Sequence, residues 1–272
     1  MTAIADWKKR VEAHHEQSIR AQGETWSSGD FWRPFAENFR DDPRRTDDVM
    51  LNRLLQEVDS SSTVLDVGAG GGRFALPLAL KCKGVTAVEP SGAMIEQMRA
   101  GMEESGINNI SIVQQTWEEA NVEPADVTLC AHVVYGVVDI ELFLRKLTSH
   151  ARRRVLLPAF THPPIARFSP FWKPVHGEGR IEMPALKDIV EALWDMDIYP
   201  NVEMVERIEQ RPFRDWDSAL NQLRLRLYVM PDTEQDARLQ KAMETMLEET
   251  PDGFAINGLG PRHLGLISWV AG

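Results

Sequence analysis

Val64-Leu65-Asp66-Val67-Gly68-Ala69-Gly70-Gly71-Gly72-Arg73-Phe74 is an apolar strand that ends in an acid, then a glycine-rich turn, then the start of a helix. Glycine has no Cβ and tolerates positive φ, so such a turn lets the backbone come close to a ligand. A helix that begins there aims free N–H groups at the same ligand. Gly68, Gly70 and Gly72 lie two apart, giving D-x-G-x-G-x-G. The dinucleotide fingerprint is G-x-G-x-x-G. Counted from Gly68, its third glycine falls on Arg73, and an acid two residues before the first glycine is foreign to it. Asp66 instead suits a ligand with a cation or hydroxyls near the strand end.

Val85-Thr86-Ala87-Val88-Glu89-Pro90-Ser91 reads as the next strand, with Glu89 at its carboxyl end, 23 positions after Asp66. That interval holds one strand–helix–strand unit, and a carboxylate so placed accepts both hydroxyls of a ribose. A third apolar run, Ile110-Ser111-Ile112-Val113, leads into Gln115-Thr116-Trp117-Glu118. These three motifs, in this order across residues 60–160, resemble the class I S-adenosylmethionine-dependent methyltransferases. The resemblance implies S-adenosyl-L-methionine as cofactor. It assigns the cofactor to Asp66, Gly68, Ala69, Gly70, Gly72, Glu89, Pro90, Thr116, Trp117 and His132. Trp117 is expected to stack on the adenine, and Thr116 stands where the family usually has Asp or Asn.

The composition bounds the rest. The chain of 272 residues has room for one large domain or one domain with a sizeable insertion. Its 43% hydrophobic and 26% charged residues are those of a soluble globular protein. A net charge of −11 and a pI near 5.2 argue against a nucleic-acid partner, which demands Lys/Arg patches. Cys82 and Cys130 make no disulfide framework and read as reduced thiols of a cytoplasmic protein. Residues 1–10 lack the apolar segment of a signal peptide, and no run is long enough to span a membrane.

The expected fold is α/β: a doubly wound, seven-stranded, mostly parallel sheet with a helical N-terminal lid and a helical insertion before the last strand. Strands are predicted at 63–67, 84–89, 110–114, 127–131 and 154–159, with helices at 73–81, 92–105 and 140–149 between them. Upstream lie a helix over 4–21, an aromatic cluster with Trp26, Trp32 and Phe35, and a helix over 49–58 capped by Thr46 or Asp47. Downstream, 161–184 is proline-rich and reads as a long loop. Helix 184–196, strand 201–209, helices 218–230 and 233–249 and strand 263–270 follow. The resemblance implies that the last two strands pair antiparallel at one edge. The corresponding divisions are a lid (1–59), a cofactor-binding core (60–160), a substrate cap with a late strand (161–262) and a final core strand (263–272).

His132 and Tyr135 follow directly from the fourth strand, where ligands of doubly wound sheets bind. They are the catalytic candidates, His132 as a general base or a pocket wall. His176-Gly177-Glu178-Gly179-Arg180 is either an acceptor contact or a solvated loop, and Arg224 and Arg226 are either carboxylate binders or surface residues. No metal site is expected. The function expected from the resemblance is direct methyl transfer to a small-molecule acceptor, by alignment and exclusion of water. Two rivals stand beside it: a nucleotide-dependent oxidoreductase, and a non-catalytic cofactor-binding protein of the same fold.

Overall fold

The computed structural model describes residues 2–23, 30, 32, 33, 36 and 39–271. Five parallel strands carry the expected alternation: β1 (Thr63–Val67), β2 (Gly84–Val88), β3 (Ile110–Val113), β4 (Ala125–Leu129) and β5 (Ala151–Phe160). Two more, β6 (Asn201–Ile208) and β9 (Arg262–Val270), complete a seven-stranded sheet in the order β3-β2-β1-β4-β5-β9-β6. β9 runs antiparallel to both neighbours. The order reverses between β1 and β4, and that switch point is where open α/β sheets bind ligands.

Between the strands run α3 (Ala75–Ala79), α4 (Gly92–Ser105) and α5 (Ile140–Ser149). Ser91 caps α4 by accepting from the Met94 N–H, and Gly106 ends it in the left-handed region at φ 68°. α5 buries Ile140, Phe143, Leu144 and Leu147, one stripe at helical spacing. Two apolar clusters cover the two sheet faces, one around Leu65, Val67 and α5, the other around Val64, Ala87, Met98 and α2 (Val49–Leu55). Asp48, rather than Thr46 or Asp47, caps α2, accepting from the Leu51 N–H at 2.8 Å.

α1 (Ala3–Gln22) packs against α5 and α7 (Leu186–Asp195). Trp7 is fully buried and donates its Nε1–H to Val137 O at 2.7 Å. Asp30 and residues 39–45 lie against α4 and the glycine turn. Asp30 accepts from Ser91 Oγ and the Ala93 N–H, and Arg40 pairs with Glu104. Trp32 and Phe39 of the N-terminal aromatic cluster meet edge to face at 5.6 Å. Trp26 and Phe35 lie outside the described residues.

The region expected to be a loop contains a 3-10 turn, Pro164–Phe168, and a helix, α6 (Ser169–His176). Pro170 lies in the first turn of α6, where a proline has no intrahelical bond to lose. Pro174 removes a single bond from an eight-residue helix, while Phe171, Trp172 and Val175 are fully buried. Packing therefore overrides propensity. α8 (Trp216–Leu227), α9 (Glu234–Met246) and a hairpin of β7 (Leu247–Thr250) and β8 (Gly253–Ile256) close a third apolar cluster with α6. The sequence reading missed that hairpin, running the last helix on to residue 249.

Topology fixes where this cap sits. β5 and β6 end, and β9 begins, at the edge where the parallel strands end. Segments 161–185 and 209–261 therefore leave and return at that edge. Within the cap, Arg224 grips Asp236 through Nε and Nη2, and Asp236 also receives the Asp232 N–H. Asp236 is 2% exposed, so its charge depends on that partner. Replacing Arg224 by Leu should cost about 2–3 kcal/mol in urea unfolding at neutral pH. The Arg224 guanidinium holds the Asp236 carboxyl below its usual pKa. The contribution is therefore full above the unfolded value of about 4 and is lost as pH falls through the folded one, so the deficit should shrink in acid. A deficit independent of pH would assign the loss to packing instead.

Candidate active site

The glycine turn is built by backbone contacts with β2. The N–H groups of Gly68 and Ala69 both donate to Val88 O, at 2.8 and 3.1 Å. Gly68 stands at φ 72°, and a Cβ there would lie 2.3 Å from a methyl of Val133, so only glycine fits the seam between β1 and β4. Gly70, at φ 56°, has nothing within 4 Å of where its Cβ would sit. The turn is closed on one side and open on the other.

Two acids flank it. Asp66 is 2% exposed on β1, and burial, then the charge of Glu89, pushes its pKa up to about 7. Glu89 is 5% exposed; its Oε2 accepts from the Gly70 N–H and its Oε1 from the Ser91 N–H, both at 2.8 Å. Burial raises its pKa as well, against those two bonds. Among the described residues neither acid makes an ion pair. Each Glu89 oxygen keeps acceptor capacity for a hydroxyl. Two buried, cation-free carboxylates beside an open glycine turn fit a ligand that brings both hydroxyls and positive charge. The site thus fits the cofactor implied by the resemblance. Pro90 and Thr116 are exposed at the ends of β2 and β3, and Thr116 Oγ1 bonds Glu119 at 3.0 Å. Ala69 and Gly72 shape the turn, Gly72 at φ 87°.

Trp117 is a correction. Its ring is 4% exposed, under the Lys146 ammonium at 4.5 Å and edge-on to His150 at 5.1 Å, with Nε1 donating to Phe143 O at 3.5 Å. It packs β3 to α5 and presents no face on which adenine can stack.

His132 directly precedes Val133, the residue packed on Gly68, and is held at φ 62° with its N–H on Pro158 O at 3.1 Å. A left-handed histidine is strained and persists only where its surroundings impose it. Its half-buried ring stacks on Phe160 at 4.5 Å and 15°. Burial first, then the charges of Arg73 and Arg262, lower its pKa to about 3. The imidazole is therefore neutral, and a poor base at neutral pH. Tyr135, 5% exposed, accepts the Phe160 N–H at 2.8 Å and lies 3.4 Å from His132 Nδ1. Burial raises its phenol pKa. Tyr135, expected as a catalytic candidate, is buried with its hydroxyl engaged by the Phe160 backbone.

The His176–Arg180 stretch is also accounted for. Arg180 lies 3.8 Å over Trp172, and it donates to Ser18 Oγ at 2.7 Å and to His14 Nε2 at 2.6 Å. His14 must then carry its proton on Nδ1, which donates to Ile181 O at 2.6 Å. That loop fastens α1 to the cap. The sequence reading missed Arg73, Phe160 and Arg262. Arg262 was findable: a last strand antiparallel to the fifth must begin at the site edge. Among the described residues no group of three or more His, Cys, Asp or Glu is arranged to hold a metal ion, and no helix is long and apolar enough to cross a membrane.

Comparison with known proteins agrees with this geometry. Residues 64–154 match the family described as "Methyltransferase domain". An uncharacterized protein of Haemophilus influenzae is 26% identical over 173 residues, 63% of each chain. A ubiquinone biosynthesis O-methyltransferase of Rickettsia conorii is 35% identical over 94 residues, 34% of this chain and 32% of that one. The chain thus spans less than two thirds of the length of these curated relatives. The YcgJ protein of Bacillus subtilis superposes with a TM-score of 0.55 at 17% identity, covering 81% of this chain and 97% of that one. Family match, motif order and fold agree over this segment: residues 64–154 carry a methyltransferase domain, and its motifs are similar to those of the class I S-adenosylmethionine-dependent methyltransferases.

The site makes two predictions. The folded protein keeps the Asp66 proton up to about pH 7, whereas the unfolded chain loses it near 4, so this group's contribution to stability falls as pH rises between those values. Asp66→Asn should therefore be more stable than the parent above pH 7, by on the order of 2–4 kcal/mol, with the gap closing toward pH 4. Urea unfolding across pH checks it; a constant gap would mean that Asp66 ionises freely. For His132, nitrogen NMR should show a neutral imidazole well below the ordinary value of about 6.5. A titration centred there would contradict the burial described.

Proposed function

We propose that this protein transfers a methyl group from S-adenosyl-L-methionine to a small-molecule acceptor held between the carboxyl edge of the sheet and the helical cap. The observation that carries the reading is the buried, cation-free pair Asp66 and Glu89 beside the open side of Gly70. Glu89 would accept the ribose hydroxyls and Asp66 would face the positive charge of the amino acid part. Pro90 and Thr116 are assigned the adenine end. When bound, S-adenosyl-L-methionine supplies an already electrophilic methyl group. The chain's own task is then to align an acceptor and exclude water. His132 and Phe160 wall the space beyond the β1–β4 seam, and Tyr135 fixes both of them. A neutral His132 accepts a hydrogen bond from an acceptor O–H or N–H and orients it. The acidic surface and the cap favour a small molecule over a nucleic acid as acceptor.

The oxidoreductase rival predicts tight binding of NADH. Calorimetry should show binding of S-adenosylhomocysteine and none of NADH. Glu89→Gln should weaken the former by about tenfold or more, since each hydrogen bond to a charged group is worth ~1.5–3 kcal/mol. NADH binding without a response to S-adenosylhomocysteine overturns the reading. Unchanged affinity in the variant removes Glu89 from the site.

A further inference from the structure

Arg262 lies beside the stacked pair Phe160 and His132, and two further arginines from distant parts of the chain lie over neighbouring aromatic rings of the cap. Arg262 opens β9, and the antiparallel register sets it next to the end of β5, where Phe160 pairs with Leu264. Its guanidinium lies 4.2 Å over the Phe160 ring, whose other neighbour is the His132 imidazole at 4.5 Å. Arg167, from the turn before α6, lies over Phe213 at 5.0 Å and Phe168 at 5.2 Å. Arg226, from α8, approaches Phe168 from 6.0 Å. All three are half-buried. Burial lowers the pKa of each; the charges of Arg262 and Arg226 add to the effect on Arg167, bringing it to about 10.

Bringing like charges together out of water is costly, and for Arg167 and Arg262 no carboxylate offsets it. Among the described residues, no carboxylate forms an ion pair with Arg167 or Arg262, and the Nε–H of each is buried without a hydrogen-bond partner. Arg167 Nη2 donates to Arg211 O at 3.3 Å. This shortage of acids is local. The chain has 41 acidic residues against 30 basic ones, and Arg45, Arg53, Arg73 and Arg224 all hold carboxylates. A buried, unmatched donor normally has a partner or a reason. Guanidinium forks suit planar, bidentate oxyanions, and their aromatic supports offer apolar walls to the rest of a ligand.

We propose that Arg167 and Arg262 form the recognition site for an anionic group on the methyl acceptor, a carboxylate or a phosphate, so that the acceptor is a small, partly apolar acid. This rests on the methyltransferase reading above. The contiguous chain Arg262–Phe160–His132 places the anion's site one ring's thickness from the wall of the transfer site. In an acidic protein, such a cationic pocket also draws its ligand inward.

The test is calorimetric titration, in phosphate-free buffer, of the S-adenosylhomocysteine-saturated protein with benzoate, phenyl phosphate and benzamide. At least one of the two anions should bind and benzamide should not; the better anion tells carboxylate from phosphate. Arg262→Gln and Arg167→Gln should each weaken that binding about tenfold or more, as expected for a lost charged hydrogen bond. Arg207→Gln, on the exposed face of β6, should leave it unchanged. S-adenosylhomocysteine affinity should be the same in all variants, which shows that they are folded. If neither anion binds, or if both variants bind as tightly as the parent, the proposal fails. Titrations without S-adenosylhomocysteine separate the two readings. A parent protein that binds anions through both arginines but never binds S-adenosylhomocysteine retains the anion site and loses the methyltransferase reading.

Discussion

The site depends on the closeness of β1 and β4 at their carboxyl ends. Gly68 admits Val133 where any side chain would collide with it. That contact turns the backbone after β1 toward β2, where Val88 O takes two successive N–H groups of the turn. The turn then delivers the Gly70 N–H to Glu89. On the other side of the seam, the chain after β4 has to leave quickly, and it does so through a left-handed His132. The acids and the imidazole are thus set by one steric fact. Its strain sits where the surroundings over-determine the backbone, as at functional sites generally.

A second pattern is the distribution of uncompensated charge. Asp66 and Glu89 lie buried on the β1–β2 side, and Arg167 and Arg262 lie half-buried on the β5–β9 side. The two groups do not neutralise each other across the site. Each raises the energy of the free protein, because a buried ionisable group with no counter-charge either carries its charge at a cost in lost solvation or, as Asp66 does, has its ionisation displaced. The stability comes from elsewhere, chiefly the two apolar clusters on the sheet faces and the separate cluster within the cap. This arrangement spends stability on preorganisation: the polar groups are aimed before any ligand arrives.

Much of this was legible in the residues. Strand–helix alternation marked the sheet, and α4 and α5 begin and end where capping and apolar spacing put them. Asp66, the glycines and Glu89 were legible because their chemistry and spacing are local. What failed was direction and assembly. Nothing in Thr116-Trp117 says which way an indole points after a strand, and burial against α5 decided it. The prolines of α6 read as loop because propensity is local, whereas the burial of Phe171 and Trp172 is not. The hairpin was different: Thr250-Pro251-Asp252-Gly253 is a turn signature that was there to be read.

Arg224 and Arg226 show the remaining limit most clearly. They lie two apart on α8, and in the sequence they are equivalent. Two positions are about 200° apart on a helix, so the two side chains leave on nearly opposite sides. Arg224 meets Asp236 and locks the cap; Arg226 faces Phe168 and the other arginines. One residue pairs with a carboxylate and its near neighbour lies over an aromatic ring, and only the packing of α8 between α9 and the turn before α6 separates them. The cap is therefore more than a cover. The helix that stabilises it through Arg224 also carries Arg226 toward Arg167, so a change in the packing of α8 would alter cap stability and the charge around Arg167 together.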